Sequence, residues 1–379
     1  MADTVSWDQL RDLAGFRARK GCAISIFLNL DPALAATAPE TATKINSLLD
    51  EAEKHDWAKR ERLSHEEREG LKADFRRIRR FFDTDFNRDG ARGFVVFVAG
   101  LDGFWRTLPL PDPVRDDVAL GPSFRLAPLA PLVGRGDGAI VAVVGRERGE
   151  LFRLRAGRLQ EVVDRTEDEP GRHDQGGWSQ ARYQRHIENL VFRHLRGVAE
   201  ELDALERRTG ADVVVVSSEE TRAEFARLLS KEVESAIVGW TQAEAHAAPA
   251  ELLGVVNPVL EQARARRERQ KLERWREEAG RGGRAAAGWG PTLESASDGR
   301  IETLLFQEGT RRPAWECPKC GRASAEPGDC PLDGIPFEAR DDGLDLALHR
   351  TLTHGGSAWA VRQHHDLEPV EGIGALLRF

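Results

Sequence analysis

Residues 139–165 read AIVAVVGRERGELFRLRAGRLQEVVDR. Three runs of strand character, Ala139–Val144, Glu150–Arg155 and Arg158–Arg165, are divided by turns holding Gly145, Gly149 and Gly157, the spacing of a meander with hairpin-length loops. A polar stretch follows, Thr166–Gln180. Ile187, Leu190, Val191, Leu195, Val198, Leu202 and Leu205 then recur at helical spacing until Gly210 ends the run. Asp212–Ser217 (DVVVVS) reads as a buried strand and Glu220–Glu234 as an amphipathic helix. The order βββ-α-β-α over residues 134–262 predicts a layered α/β domain of ribonuclease-H-like type.

Working outward, residues 1–133 read as a first α/β domain. Helical spacing over Ser6–Arg17, Thr41–His55 and Glu66–Phe82 alternates with apolar strands at Cys22–Leu30 and Gly93–Ala99. Pro109, Pro111, Pro113, Pro122, Pro128 and Pro131 then mark a boundary, because proline cannot donate to a strand ladder. Residues 263–379 read as a third domain. It opens with a charged helix, Gln262–Glu278, and a Gly/Ala-rich break, Gly280–Gly290. A strand at Gly299–Phe306, a cysteine cluster over Cys317–Gly334, and candidate strands at His349–Arg362 and Gly372–Phe379 follow. The fold class expected is mixed α/β in three domains.

The 379 residues are 40% apolar and 31% charged, which excludes a fibrous or wholly disordered chain. Basic residues number 55 and acidic residues 63, a net charge of −8, which weighs against coating nucleic acid through bulk charge. Local arginine clusters are the remaining means of phosphate contact, the planar guanidinium binding bidentately. The longest apolar run, Gly93–Gly100, is far short of the ~18 residues of a membrane span. The opening MADTVSWDQL has no basic-then-apolar pattern, so no secretory signal is expected. Four cysteines, three of them within Cys317–Cys330, fit a reducing compartment and a metal site better than a disulfide framework. A cytoplasmic protein without membrane partners is expected.

The stretch richest in chemistry is Arg172–Glu188, RHDQGGWSQARYQRHIE. Gly176 and Gly177 let backbone approach a ligand closely. The helix that follows offers unpaired N–H groups and positive dipole to an anion. Trp178 and Tyr183 can stack on bases, with Arg172, Arg182 and Arg185 alongside for phosphates. The same stretch also reads as a plain hairpin-to-helix connector with Ser179 as the cap.

GGWSQ resembles the Gly-Gly-Gln loop of archaeal and eukaryotic class I translation termination factors, and more closely the variant glutamine loops of their bacterial relatives and of Vms-type peptidyl-tRNA hydrolases. The context is similar too: a meander before, a long helix after, and a GIGALLRF ending like that of the family's third domain. The resemblance covers essentially the whole chain. It implies a third domain built as a ribosomal-protein-like α/β/α sandwich with a zinc-knuckle insertion. It also implies action at the ribosomal A site and peptidyl transferase centre, on peptidyl-tRNA, with an elongation-factor-type translational GTPase as a candidate for delivery. Gln180, Gly176, Gly177 and Ser179 are the catalytic candidates, and Gln180 would position water and offer its backbone N–H to the developing oxyanion. Trp178 and Ser179 lengthen the loop relative to the family pattern.

The family's stop-codon motifs are not matched. The nearest approach to Asn-Ile-Lys-Ser is the permuted Thr43–Ser47, and Gly93–Gly100 lacks the expected Tyr and Cys. Lys44 and Asn46 are carried as RNA-contact candidates, or else as a solvated helix start.

Cys317-Pro-Lys-Cys320-Gly is a zinc-knuckle half, and Cys330-Pro-Leu-Asp333-Gly repeats it with Asp333 in place of the second cysteine. Cys317, Cys320, Cys330 and Asp333 are the expected ligands of a structural zinc, with His349 and His354 as alternatives for the fourth place. The function expected is peptidyl-tRNA hydrolysis in the rescue of stalled ribosomes. The alternative is a non-catalytic hibernation factor of Balon type occupying the A site.

Overall fold

The computed structural model describes residues 5–31, 37–55, 63–88, 90–110, 112–133, 138–155, 157–165, 179–244 and 246–379, without the side chains of residues 38, 54–55 and 179–185. It falls into two compact units, one of Met1–Arg135 with Glu268–Phe379 and one of Gly136–Arg267.

The first segment carries helices α1 (Trp7–Ala14), α2 (Ala38–His55) and α3 (His65–Thr84) and strands β1 (Ala23–Asn29), β2 (Gly93–Ala99), β3 (Phe104–Leu110) and β4 (Asp117–Gly121). Ser6 with Gln9, and Ser64 with Glu67, form capping boxes that start α1 and α3. The strands form an antiparallel sheet in the order β3-β2-β1-β4. Ile24, Ile26 and Leu28 pack on Ile45, Leu49, Phe75 and Ile78 of α2 and α3. Ala23 and Phe27 pack on the other side against Leu10 and Leu13 of α1, Phe124 and Leu126. Both faces are covered, which is why these strands read as unbroken apolar runs. The proline-rich stretch is not loop throughout. Pro109 sits in β3, an edge strand, where a residue without an N–H is tolerated.

The middle unit holds β5 (Ile140–Val144), β6 (Gly149–Arg155), β7 (Arg158–Asp164), α4 (Ser179–Thr209), β8 (Val213–Val216), α5 (Glu219–Ala226), α6 (Lys231–Ala236), β9 (Ile237–Thr241) and the part of α7 (Pro249–Gly280) up to Arg267. Its sheet runs β7-β6-β5-β8-β9, antiparallel through the meander and parallel from β5 to β9. Leu195, Val198 and Leu202 of α4, with Phe225 and Val233, cover one face. Leu252 and Val256 of α7 cover the other, on Val141, Val143, Val214 and Val216. This is the layered α/β arrangement expected. The single helix expected over Glu220–Glu234 is two. Ser230 starts a new one, accepting from the Val233 N–H at 3.2 Å while its hydroxyl donates to Asp203 at 2.6 Å.

The third segment comprises β10 (Ala285–Ala287), α8 (Trp289–Ser297), β11 (Ile301–Gln307), β12 (Ala314–Glu316), β13 (Ala323–Ser324), β14 (Glu338–Arg340), α9 (Gly343–Thr353), β15 (Ser357–Val361) and β16 (Ile373–Leu377). The sheet β10-β16-β11-β15 carries Leu293 of α8 and Leu348 of α9 on one face, and Leu272 and Trp275 of α7 on the other, an α/β/α sandwich. A small sheet, β13-β12-β14, is inserted between β11 and α9 and bears the cysteines. The strand expected over His349–Arg362 begins instead as helix. Asp342 caps α9 by accepting the N–H groups of Leu344 and Asp345, and only Ser357–Val361 is extended.

The first and third segments pack as one unit. Leu126 and Ala127 donate backbone N–H groups to Asp345 Oδ1 at 2.7 and 2.8 Å. The ring nitrogens of His349 lie 3.1 Å from the Ala14 carbonyl and 2.6 Å from that of Phe124.

Candidate functional site

The glutamine motif meets the structure where α4 begins. Ser179 and Gln180 are the first two residues of this 31-residue helix. Their backbone N–H groups therefore belong to the first turn, whose donors have no partner within a helix. Gly176, Gly177, Trp178 and Arg172 lie outside the described residues, as do the side chains of Ser179, Gln180, Arg182 and Arg185.

Strand β7 and helix α4, on either side of the loop, are joined by contacts that the sequence did not announce. Arg165, leaving β7, donates its N–H to Gly149 at 2.8 Å and pairs with Glu201 of α4 at 2.7 Å. Gly197 lies under this crossing, and a Cβ there would sit 2.7 Å from the Arg165 guanidinium, which would have to shift. A glycine inside a helix, which costs about 1 kcal/mol against alanine, was the available signal.

In the first segment Lys44 is engaged with Asp116 at 2.9 Å and with the Asn29 carbonyl at 3.0 Å, tying α2 to the sheet, while Asn46 is exposed. Of the arginines on α3, Arg79 pairs with Asp50 at 2.8 Å and Arg77 lies 4.3 Å over the ring of Trp105. Arg76 and Arg80 are exposed.

The cysteines form the best-defined cluster. One ligand atom from each of Cys317, Cys320, Cys330 and Asp333 lies within 4.8 Å of the others. Two knuckles build it by the same hydrogen bonds. In the first, Cys317 N–H donates to the Arg322 carbonyl and Gly321 N–H to the Cys317 carbonyl, both at 2.8 Å. In the second, Cys330 N–H donates to the Ile335 carbonyl and Gly334 N–H to the Cys330 carbonyl, again both at 2.8 Å. Gly321 and Gly334 close these turns at φ 72° and 64°, left-handed values that favour glycine. Asp333 thus occupies the position that Cys320 holds in the first knuckle.

The spacing fits zinc. A tetrahedral ion with bonds of about 2.3 Å to sulfur and 2.0 Å to oxygen needs S···S of about 3.8 Å and S···O of about 3.5 Å. Cys320 and Cys330 sulfurs are 3.6 Å apart, and Asp333 Oδ2 is 3.4 Å from Cys317 Sγ and 3.7 Å from Cys330 Sγ. Hydrogen bonds from Cys320 and Lys319 hold the Asp333 carboxyl down to about 2. Cys320 is exposed as a residue, yet desolvation of its thiol and the hydrogen bond to Asp333 push it up to about 12. A divalent cation would reverse this, because coordination deprotonates the thiol. Neither His349 nor His354 is a ligand. His349 faces the Ala14 and Phe124 carbonyls, and His354 Nδ1 lies 2.8 Å from the Arg350 carbonyl.

Among the described residues no helix is long and apolar enough to cross a membrane. Residues 125–268 match the family described as bacterial archaeo-eukaryotic release factor family 10. The chain is similar to peptide chain release factor subunit 1 of Archaeoglobus fulgidus, 25% identical over 285 residues that cover 68% of this chain and 69% of that one. It is similar also to peptide chain release factor subunit 1 of Methanopyrus kandleri, 28% identical over 209 residues, 52% and 50% of the two chains. Among solved structures, the archaeal translation termination factor aRF1 is 15% identical, with 99% of both chains covered and a TM-score of 0.26. Ribosome-bound archaeal Pelota with ABCE1 is 16% identical, with 76% and 77% covered and a TM-score of 0.44. The chain is thus similar to release factors of the archaeo-eukaryotic kind, and the match to the bacterial family 10 lies on its middle unit and the residues leading into it.

Proposed function

We propose that this protein enters the A site of stalled ribosomes and hydrolyses the ester of peptidyl-tRNA. The observation that carries this reading is that α4 begins on the last two residues of GGWSQ, inside the stretch matched by the release-factor family. The ester is an activated acyl group, so the catalyst has to admit one water and hold it in line. The Gln180 amide takes no proton near neutral pH and acts as an orienting group, accepting and donating hydrogen bonds to that water. The Gln180 backbone N–H, a first-turn donor, faces the oxyanion as it forms. Gly176 and Gly177 thread the loop through a narrow channel, and Ser179 starts the helix behind it. Trp178 stacks on a base, and Arg172, Arg182 and Arg185 contact phosphates. The exposed Arg76, Arg80 and Asn46, with Lys44, give the first segment its RNA-facing side. An elongation-factor-type GTPase is the proposed means of delivery.

Zinc in this reading is structural. Cys317, Cys320, Cys330 and Asp333 would hold it, and four protein donors leave no open position for substrate. Release of labelled peptide from stalled ribosomes, compared between the wild-type chain and Gln180→Ala, tests the reading. No release by the wild type would favour A-site occupancy without chemistry.

A further inference from the structure

The two knuckles differ in one consequential way. At the third position of each turn stand Lys319 and Leu332, and only Lys319 reaches across. Its ammonium lies 3.0 Å from Asp333 Oδ1, while Oδ2 of the same carboxylate faces the sulfurs of Cys317 and Cys330. Leu332 points away from any such role and is 71% exposed. The two oxygens of Asp333 are thus divided between a cation of the first knuckle and the metal position.

That division matters because a carboxylate is an ambiguous replacement for a thiolate. It can offer one oxygen or two, and two would take a zinc ion past the four-coordinate geometry of structural sites. An ammonium bound to Oδ1 leaves Oδ2 alone to coordinate. It also offsets the charge that three thiolates and a carboxylate build around a divalent ion. We propose that Lys319 is a positioning residue of the metal site, holding Asp333 as a one-oxygen ligand, so that the Lys319–Asp333 pair together stands in for the missing fourth cysteine. The inference rests on reading the cluster as a zinc site. It goes beyond that reading by assigning a role to a side chain that touches no sulfur.

The assignment makes a conditional claim that a merely structural lysine would not meet. With Asp333 present, loss of Lys319 should weaken the metal. With cysteine at 333, no carboxylate is left to hold, and loss of Lys319 should matter little. The experiment is a double-mutant cycle on the full-length chain, with zinc affinity read by competition against a chromogenic chelator. The four proteins are wild type, Lys319→Ala, Asp333→Cys and the double variant.

Lys319→Ala is expected to weaken zinc by about 10–100-fold, the usual cost of removing an outer partner of a ligand, and Lys319→Arg to recover most of it. In the Asp333→Cys background the same alanine change is expected to alter affinity less than about threefold, by the same reasoning. Cobalt(II) bound in place of zinc gives a second readout. Wild type and Lys319→Arg should show strong tetrahedral visible bands, and Lys319→Ala weaker ones as the second oxygen enters. Lys319 is 67% exposed at its side chain, so its variants leave the fold intact.

Wild-type protein holding no zinc would overturn the metal reading itself. Zinc bound normally by wild type and equally well by Lys319→Ala would overturn the role of Lys319 alone. Equal losses in both backgrounds would show a general effect of the lysine and also overturn it. An Asp333→Cys chain that holds no metal would contradict the equivalence of Asp333 and Cys320.

Discussion

Arg125 lies 3.4 Å from Asp342, the residue that caps α9, and the pair joins the first segment of the chain to the third. The Arg125 guanidinium is buried and shared, since it also bonds Asp117 and feels Asp345. One cation thus serves three carboxylates. Both partners are shifted upward, for different reasons. Desolvation, the largest single effect on Arg125, pulls it down, but the three negative charges outweigh it and hold the guanidinium above its ordinary value. The Asp342 carboxyl is pushed up to about 6, first by desolvation and then by the charge of Asp345, with Arg125 and Arg311 pulling the other way.

A dependence of stability on pH follows. The Asp342 carboxyl binds its proton more tightly in the folded chain than in the unfolded one. The stability it contributes is therefore fully present below about 3.8 and is lost as pH rises through about 6. Asp342→Asn keeps an acceptor for the helix cap but cannot ionise. Relative to wild type, the variant should gain stability between pH 4 and pH 7, by at most about 3 kcal/mol. Unfolding midpoints measured across that range check this. A difference that is constant with pH would contradict it.

Much of the architecture was legible because burial writes itself into composition. The runs Ile140–Val144 and Val213–Val216 are apolar at every position because both sheet faces are covered, and they set the order of the middle unit. Helical spacing over Ser6–Arg17 and Glu66–Phe82 announced α1 and α3, and the capping boxes of Ser6 and Ser64 set their starts in the structure. What periodicity could not show was long-range. Pro109 looked like a boundary because the edge position of β3 exists only once the sheet is assembled. His349–Arg362 looked extended because the cap from Asp342 and the packing of Leu344 and Leu348 decide for helix. The spacing of the cysteines announced the knuckle, but Lys319 became part of the site only when the second knuckle folded against the first.

Removal of metal should act on one unit. A strong chelator, or Cys320→Ser, is expected to loosen the insertion of β12, β13 and β14 and lower the thermal midpoint of the unit that contains it. The unit of Gly136–Arg267 should be unaffected, because it holds none of the four ligands. Elemental analysis should find about one zinc per chain in protein purified without added metal. Hydrogen exchange by segment, with and without chelator, separates the units. Equal loss of protection in both would contradict the expectation.

Binding to RNA by a chain of net charge −8 has to rest on local faces. Ribosome affinity should fall steeply with salt as bound phosphates release counterions. Replacing Arg182 and Arg185 with alanine should lower the log–log slope by about one for each phosphate no longer neutralised, whereas Gln180→Ala should leave it unchanged. A salt series on the three proteins checks this. A slope unchanged by removing both arginines would show that the start of α4 does not dock on RNA.

The most direct test is a single-turnover release assay on ribosomes stalled with peptidyl-tRNA in the P site. Wild-type protein is expected to free the peptide. Gln180→Ala is expected to bind the same ribosomes and free it about 10²–10³-fold more slowly, the cost of removing one interaction with the transition state. Release by Gln180→Ala at the wild-type rate would contradict the assignment of this glutamine, and ribosome binding by wild type without any release would contradict hydrolysis.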